Sequence, residues 1–181
     1  GIGALILFGG SMLVMFTGAL IKKEQISFIS FIGAILSLLG LYILTDPRFS
    51  GNNLLGVILM FLAAFSWGIY TLLGYGQKTP LLNTTNNFII ALLFVIPVSI
   101  YIPKEIETSS YGIILATISG MITSGLGYTL WYWVLPQINI STASIAQLTV
   151  PLIAALGGYL FISESLNWQF YLSSILILGG M

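Results

Sequence analysis

The run SIAQLTVPLIAALGGYLFISESL, Ser144 to Leu166, places an amide and a proline inside a segment otherwise suited to lipid. Gln147 can donate and accept hydrogen bonds at once, which is binding chemistry rather than catalysis. Pro151, one turn further on, has no N–H, so the Gln147 carbonyl loses its usual partner and the helix is expected to kink. At about 1.5 Å per residue the two lie about 6 Å apart along the axis, near the middle of the span. Polar groups at that depth need another helix, a solvated cavity or a ligand. Two readings stay open: contact with a solute in a cavity, or a helix-to-helix hydrogen bond of roughly 0.6–2 kcal/mol.

Other side chains share this character. Trp67 and Tyr70 stand three apart on one helix face, where rings with a polar tip can either line a solute pocket or fill space between helices. Tyr128 follows a run of small residues, Ser119, Gly120, Thr123, Ser124, Gly125 and Gly127, that invites close helix approach. Within NTTNN at 83–87 the polar residues are expected to begin a helix by capping, with Asn87 a lesser candidate for solute contact. Ser66 and Thr71 are expected to bond back to their own helix. Glu24 and Glu164 precede the first turns of helices, where a carboxylate is favoured by about 0.3–1 kcal/mol. The candidate substrate-binding residues are therefore Trp67, Tyr70, Asn87, Tyr128 and Gln147.

Much chemistry is missing. Of 181 residues none is Cys or His, which removes disulfides, thiolate or imidazole metal sites and every cysteine- or histidine-based nucleophilic device. No Asp, Glu, Lys or Arg falls inside an apolar run, so there is nothing to act as a buried acid or base. Neither a catalytic site, a metal nor a cofactor is expected. Five basic and five acidic residues cancel, which leaves no electrostatic basis for binding nucleic acid. With 57% hydrophobic and 6% charged residues the chain cannot cover itself with polar surface, and lipid must be its main solvent.

The elements that position these residues are helices. Seven apolar segments emerge, near Gly3–Ile21, Phe28–Thr45, Leu54–Tyr75, Thr85–Ile102, Tyr111–Val134, Ser141–Ile162 and Gln169–Met181. Because water is absent from the bilayer core, backbone groups must be satisfied within each segment, and no segment alternates with the period of a barrel strand. Consecutive loops lie on opposite sides. Lys22, Lys23 and Lys78 then share one face, and Arg48, Lys104 and four acids, Asp46, Glu105, Glu107 and Glu164, share the other. The excess of basic residues assigns the 22–27 loop to the cytoplasm. Trp131, Tyr132, Trp133, Trp168 and Tyr171 fall at segment ends, as interfacial anchors do.

Displacing the chain by 140 residues aligns the first helix pair with the last: Gly18 with Gly158, Leu20 with Leu160, Glu24 with Glu164, Gly40 with Gly180. Five spans separate the copies, and an odd period inverts the second copy in the membrane. The stretches GIGALILFGGSMLVMF (1–16), LMFLAAFSWGIYTLLGYG (59–76) and SGLGYTLWYWVLPQINISTASIAQLTVPLIAALGGYLFISESLNW (124–168) resemble the EamA-type branch of the drug/metabolite transporter superfamily. The resemblance implies an all-α polytopic membrane protein with inverted five-helix repeats, about ten transmembrane helices in the full protein and seven visible here. Residues 1–45 would be the last two helices of a first repeat, 46–53 a linker, and 54–181 a second repeat. It implies a transporter in the plasma membrane, moving small organic metabolites or drugs by alternating access around a midplane cavity. The expected partners are a small organic solute, the bilayer and, as one admissible assembly, a second copy of the chain. The rivals are a seven-helix receptor, a membrane enzyme and a non-transporting membrane subunit.

Overall fold

The computed structural model describes residues 2–47, 54–100 and 109–181. Arg48, Lys104, Glu105 and Glu107, with most of the 46–53 linker, lie outside the described residues. Among the described residues seven helical stretches follow one another: α1 Ile2–Ile21, α2 Phe28–Thr45, α3 Leu54–Gly74, α4 Pro80–Ser99, α5 Ser110–Gln137, α6 Ile140–Ile162 and α7 Trp168–Gly179. The first six are long and apolar enough to cross a bilayer, whereas α7 is a shorter apolar helix. This is an all-α polytopic membrane protein. Its outer surface is that of a lipid-facing molecule, with Ile29 81% and Phe161 88% exposed.

Local chemistry sets the helix ends. Ser27 caps α2 by accepting from the Ser30 N–H at 3.1 Å. Pro80 opens α4, where its missing N–H costs nothing. The polar run 83–87 therefore lies inside α4 and does not cap it, and Thr85 donates back to the Leu81 carbonyl at 2.9 Å. Lys23, with φ of 58°, closes α1 in a left-handed turn in which the Glu24 N–H reaches the Ala19 carbonyl.

The chain forms two compact units, residues 1–73 with 138–181, and residues 74–137. In the first, helices meet through glycine. Along α1 and α3 a Cβ at Gly10 would lie 2.9 Å from the Ala64 Cβ, one at Gly68 2.6 Å from Val14, and one at Gly18 2.6 Å from Leu72. The pairs 10–64, 14–68 and 18–72 advance together by four, so α1 and α3 run parallel. Across α2 and α7 the Gly33 and Gly180 backbones touch, and Gly40 packs on Ile177 and Ser173, which makes this pair antiparallel. At the crossing the Ser37 hydroxyl donates to the Ile177 carbonyl at 3.3 Å, and these residues are 140 apart. The helix pairs aligned by sequence thus meet head to tail about one centre. Met12, Leu41, Ile145, Leu148 and Ile177 fill the space around it.

The second unit holds α4 and α5. Phe88 meets Tyr128 edge-on at 5.4 Å, and Tyr128 stacks on Tyr132 at 6.4 Å. Tyr132 is no interfacial anchor: it is 5% exposed, and a Cβ at Gly74 would lie 2.7 Å from its hydroxyl. Trp133, Trp168 and Tyr171 are exposed, as anchors should be. The small-residue run of α5 also departs from expectation. Ser119–Ser124 forms a wide π-helical turn, and a Cβ at Gly120 or Gly127 would meet nothing within 4 Å. Close helix approach falls instead to the glycines of α1, α2 and α3 and to Gly180 just past α7.

Helix–helix association in lipid has no hydrophobic drive and depends on such close packing. Gly33→Leu and Gly40→Leu should each destabilise the protein by about 1–3 kcal/mol, whereas Gly120→Ala should stay within about 0.5 kcal/mol, as read from thermal unfolding in detergent.

Candidate functional site

The helix α6 is broken where Gln147 and Pro151 required a kink. It comprises two rods, α6a Ile140–Ala146 and α6b Thr149–Ile162, joined through Gln147 and Leu148. The carbonyl that Pro151 deprives of a partner is not left vacant. The Val150 N–H donates to the Gln147 carbonyl at 3.1 Å, so a tighter turn replaces the lost bond.

The side chain of Gln147 is 5% exposed and reaches two other helices, α1 and α3. Its Oε1 accepts from the Trp67 indole N–H at 3.0 Å and from the Ser11 hydroxyl at 3.4 Å. Its Nε2 donates to the Met15 Sδ at 3.3 Å. An indole can only donate, so Trp67 fixes which end of the amide is oxygen. Of the two sequence readings, the geometry realises the helix-to-helix hydrogen bond, tying α6 to α1 and α3. Ser11 and Met15 carry no motif and were invisible in the sequence, although both are fully buried. The signal available was positional: Ser11 aligns with Pro151 in the displaced copy.

Trp67 stacks on Tyr70 with ring centroids 5.9 Å apart and planes inclined by 29°. Both rings are partly buried. Thr71, on the same helix, bonds back to the Trp67 carbonyl at 3.0 Å, as expected of it. The structure therefore brings Trp67, Tyr70 and Gln147 together in the first unit. In the second unit Tyr128 is held between Phe88 and Tyr132, and Asn87 is exposed on α4.

The acids act differently from the sequence expectation. Glu24 does not serve α2, the helix it precedes, but the start of α6a, where it accepts from the Ile140 N–H at 3.0 Å and the Ser141 N–H at 3.1 Å. Lys22 beside it donates to the Leu72 carbonyl near the end of α3 at 3.2 Å. These contacts put the 22–27 loop, the end of α3 and the start of α6 on one face. On the other face a cleft of about 200 Å³ is lined by Leu44, Asp46, Glu164, Asn167 and Gln169 among others. Within this unit the 22–27 loop therefore lies by the start of α6, and the 163–167 segment by its end.

The chain resembles known proteins along its whole length. The profile of the EamA-like transporter family matches residues 54–181. An uncharacterized protein of Pseudomonas aeruginosa is 35% identical over 181 residues, covering 100% of this chain and 63% of that protein. An uncharacterized transporter of Archaeoglobus fulgidus is 24% identical over 187 residues, with 66% of its length covered. The uncharacterized transporter YoaV of Bacillus subtilis is 26% identical over 135 residues, 72% of this chain and 46% of YoaV. The chain thus spans about two thirds or less of the curated relatives it matches. No solved structure matches it.

Removing one partner of a buried hydrogen bond costs more than removing both. Gln147→Leu should destabilise by about 1–3 kcal/mol, and adding Trp67→Phe should recover part of that loss, a coupling of about 0.5–3 kcal/mol in a double-mutant cycle. Strict additivity would mean the indole–amide bond contributes nothing.

Proposed function

The chain belongs to the EamA-like transporter family, and from that premise we propose that the whole protein moves small organic metabolites or drugs across the plasma membrane by alternating access. The observation that supports this most directly is the broken α6, with the Gln147 amide at the break bonded to Trp67. Broken helices with polar groups near the midplane are where secondary transporters gather their ligand contacts.

In this reading the stacked Trp67 and Tyr70 rings form an apolar wall with a hydroxyl tip, suited to an organic solute rather than a bare ion. Gln147 holds the indole at a defined angle. It meets a solute by exchange: the longest bond to its oxygen, from Ser11 at 3.4 Å, is the one a solute donor displaces. Within the second unit, taken by itself, Asn87 and Tyr128 are proposed as solute contacts. Cytoplasmic placement of the 22–27 loop rests on Lys22, Lys23 and Lys78.

A thermal-shift panel of organic solutes on the full-length protein supplies the ligand, since binding to the folded state raises its unfolding temperature. In proteoliposomes Gln147→Leu should then reduce flux of that solute at least tenfold, a change of about 1.4 kcal/mol or more. Unchanged flux removes Gln147 from the site. Orientation has its own check: in a cysteine-free background Gln25→Cys should react with an impermeant maleimide only after cells are permeabilised, and labelling of intact cells would reverse the topology.

A further inference from the structure

The start of α6a has two caps available and uses the remote one. Ile140 and Ser141 are 3% and 4% exposed, so their N–H groups cannot turn to water. Both are satisfied by the carboxylate of Glu24, 116 and 117 residues away in sequence, and the Ser141 hydroxyl donates to the same carboxylate. Asn139 meanwhile stands at the N-cap position with φ of −70° and ψ of 153°, the backbone geometry of a capping residue. Its side chain makes no capping hydrogen bond. Asn is among the strongest N-cap residues, so a competent local cap is idle beside an engaged distant one.

The engaged cap is aimed by its own loop. Lys23 takes a left-handed conformation, with φ of 58°, that a lysine adopts at a cost, and the turn it makes directs Glu24 away from α2. Lys22 on the same loop grips the Leu72 carbonyl of α3. One short loop thereby fastens α1 to the ends of two later helices.

We propose that Glu24 is a detachable cap, a clasp holding this face of the protein closed, and that Asn139 takes over the α6 backbone when the clasp opens. Exchange between two caps lets the helix start separate from the loop without leaving both buried N–H groups unsatisfied. The clasp takes its purpose from the transport reading, although its geometry stands apart from it. Glu164, aligned with Glu24 at the 140-residue displacement and likewise following a left-handed residue, Ser163, lies on the opposite face over Gly158. It serves as the control.

The test uses the full-length, cysteine-free protein in liposomes, with spin labels at Gln25→Cys and Thr142→Cys and the distance distribution read by pulsed electron resonance. Glu24→Ala should enlarge the long-distance population at least fivefold, Glu24→Gln should do so to a lesser degree, and Asn139→Ala should shrink it. Glu164→Ala should leave this pair unchanged. Distributions that stay put in both Glu24 variants, with or without a lower melting temperature, would reduce Glu24 to a fixed structural cap and overturn the proposal. The readout needs no solute, so a protein that shows the shift yet moves nothing refutes the transport reading and leaves the clasp standing.

Discussion

Lipid offers no hydrogen bonds, and that constraint shapes every interruption in this fold. Where Pro151 withdraws an N–H, the chain tightens and the Val150 N–H reaches the Gln147 carbonyl instead. The turn exposes the Gln147 side chain to two neighbouring helices, which answer with an indole, a hydroxyl and a thioether. Hydroxyls of Thr17, Thr45 and Thr71 fold back on their own helices for the same reason. Gln147, Ser37 and Glu24, by contrast, bond from one helix or loop to another.

Steric economy supplies the other half of the architecture. Without hydrophobic drive between helices, contact energy comes from proximity, and proximity comes from missing side chains. Gly10, Gly18 and Gly68 bring α1 onto α3, while Gly33, Gly40 and Gly180 bring α2 onto α7. The antiparallel α2–α7 pair crosses at Ser37 and Ile177, residues that the internal repeat equates. A weak sequence repeat therefore corresponds to a physical centre, and the conformations of Lys23 and Ser163, both left-handed, repeat with it.

The membrane spans were legible because composition alone decides them: long apolar runs with charges confined between them leave one solution. Helix ends were less so. Pro80 starts α4 five residues before the predicted Thr85, because a proline at the first turn outranks the asparagines that follow. Polar partnerships were least legible, since they join residues distant in sequence. That Gln147 needs a partner can be read from its depth, but not that the partner is Trp67, 80 residues away. Glu24 reads as a helix-start carboxylate, yet its helix lies 116 residues on, where no local rule points. Tyr132 looked like an anchor by position, and only the bare surface of Gly74 shows why it turns inward.

The related helices α1 and α6 depart from regular geometry at matching positions. The break in α6 at 147–148 falls, after displacement by 140, on residues 7–8 of α1, inside the π-helical turn Leu5–Gly9. The two copies thus deform at the same register by unlike means, beside a proline in one and through a π-helical turn in the other. A proline anchors its bend to a single address. A wide turn instead displaces the bonding ladder by one partner over a single turn and needs no proline to hold it. Of the paired elements, one bends beside a proline and the other at a wide turn, so the two copies share the register of their deformation but not its cause.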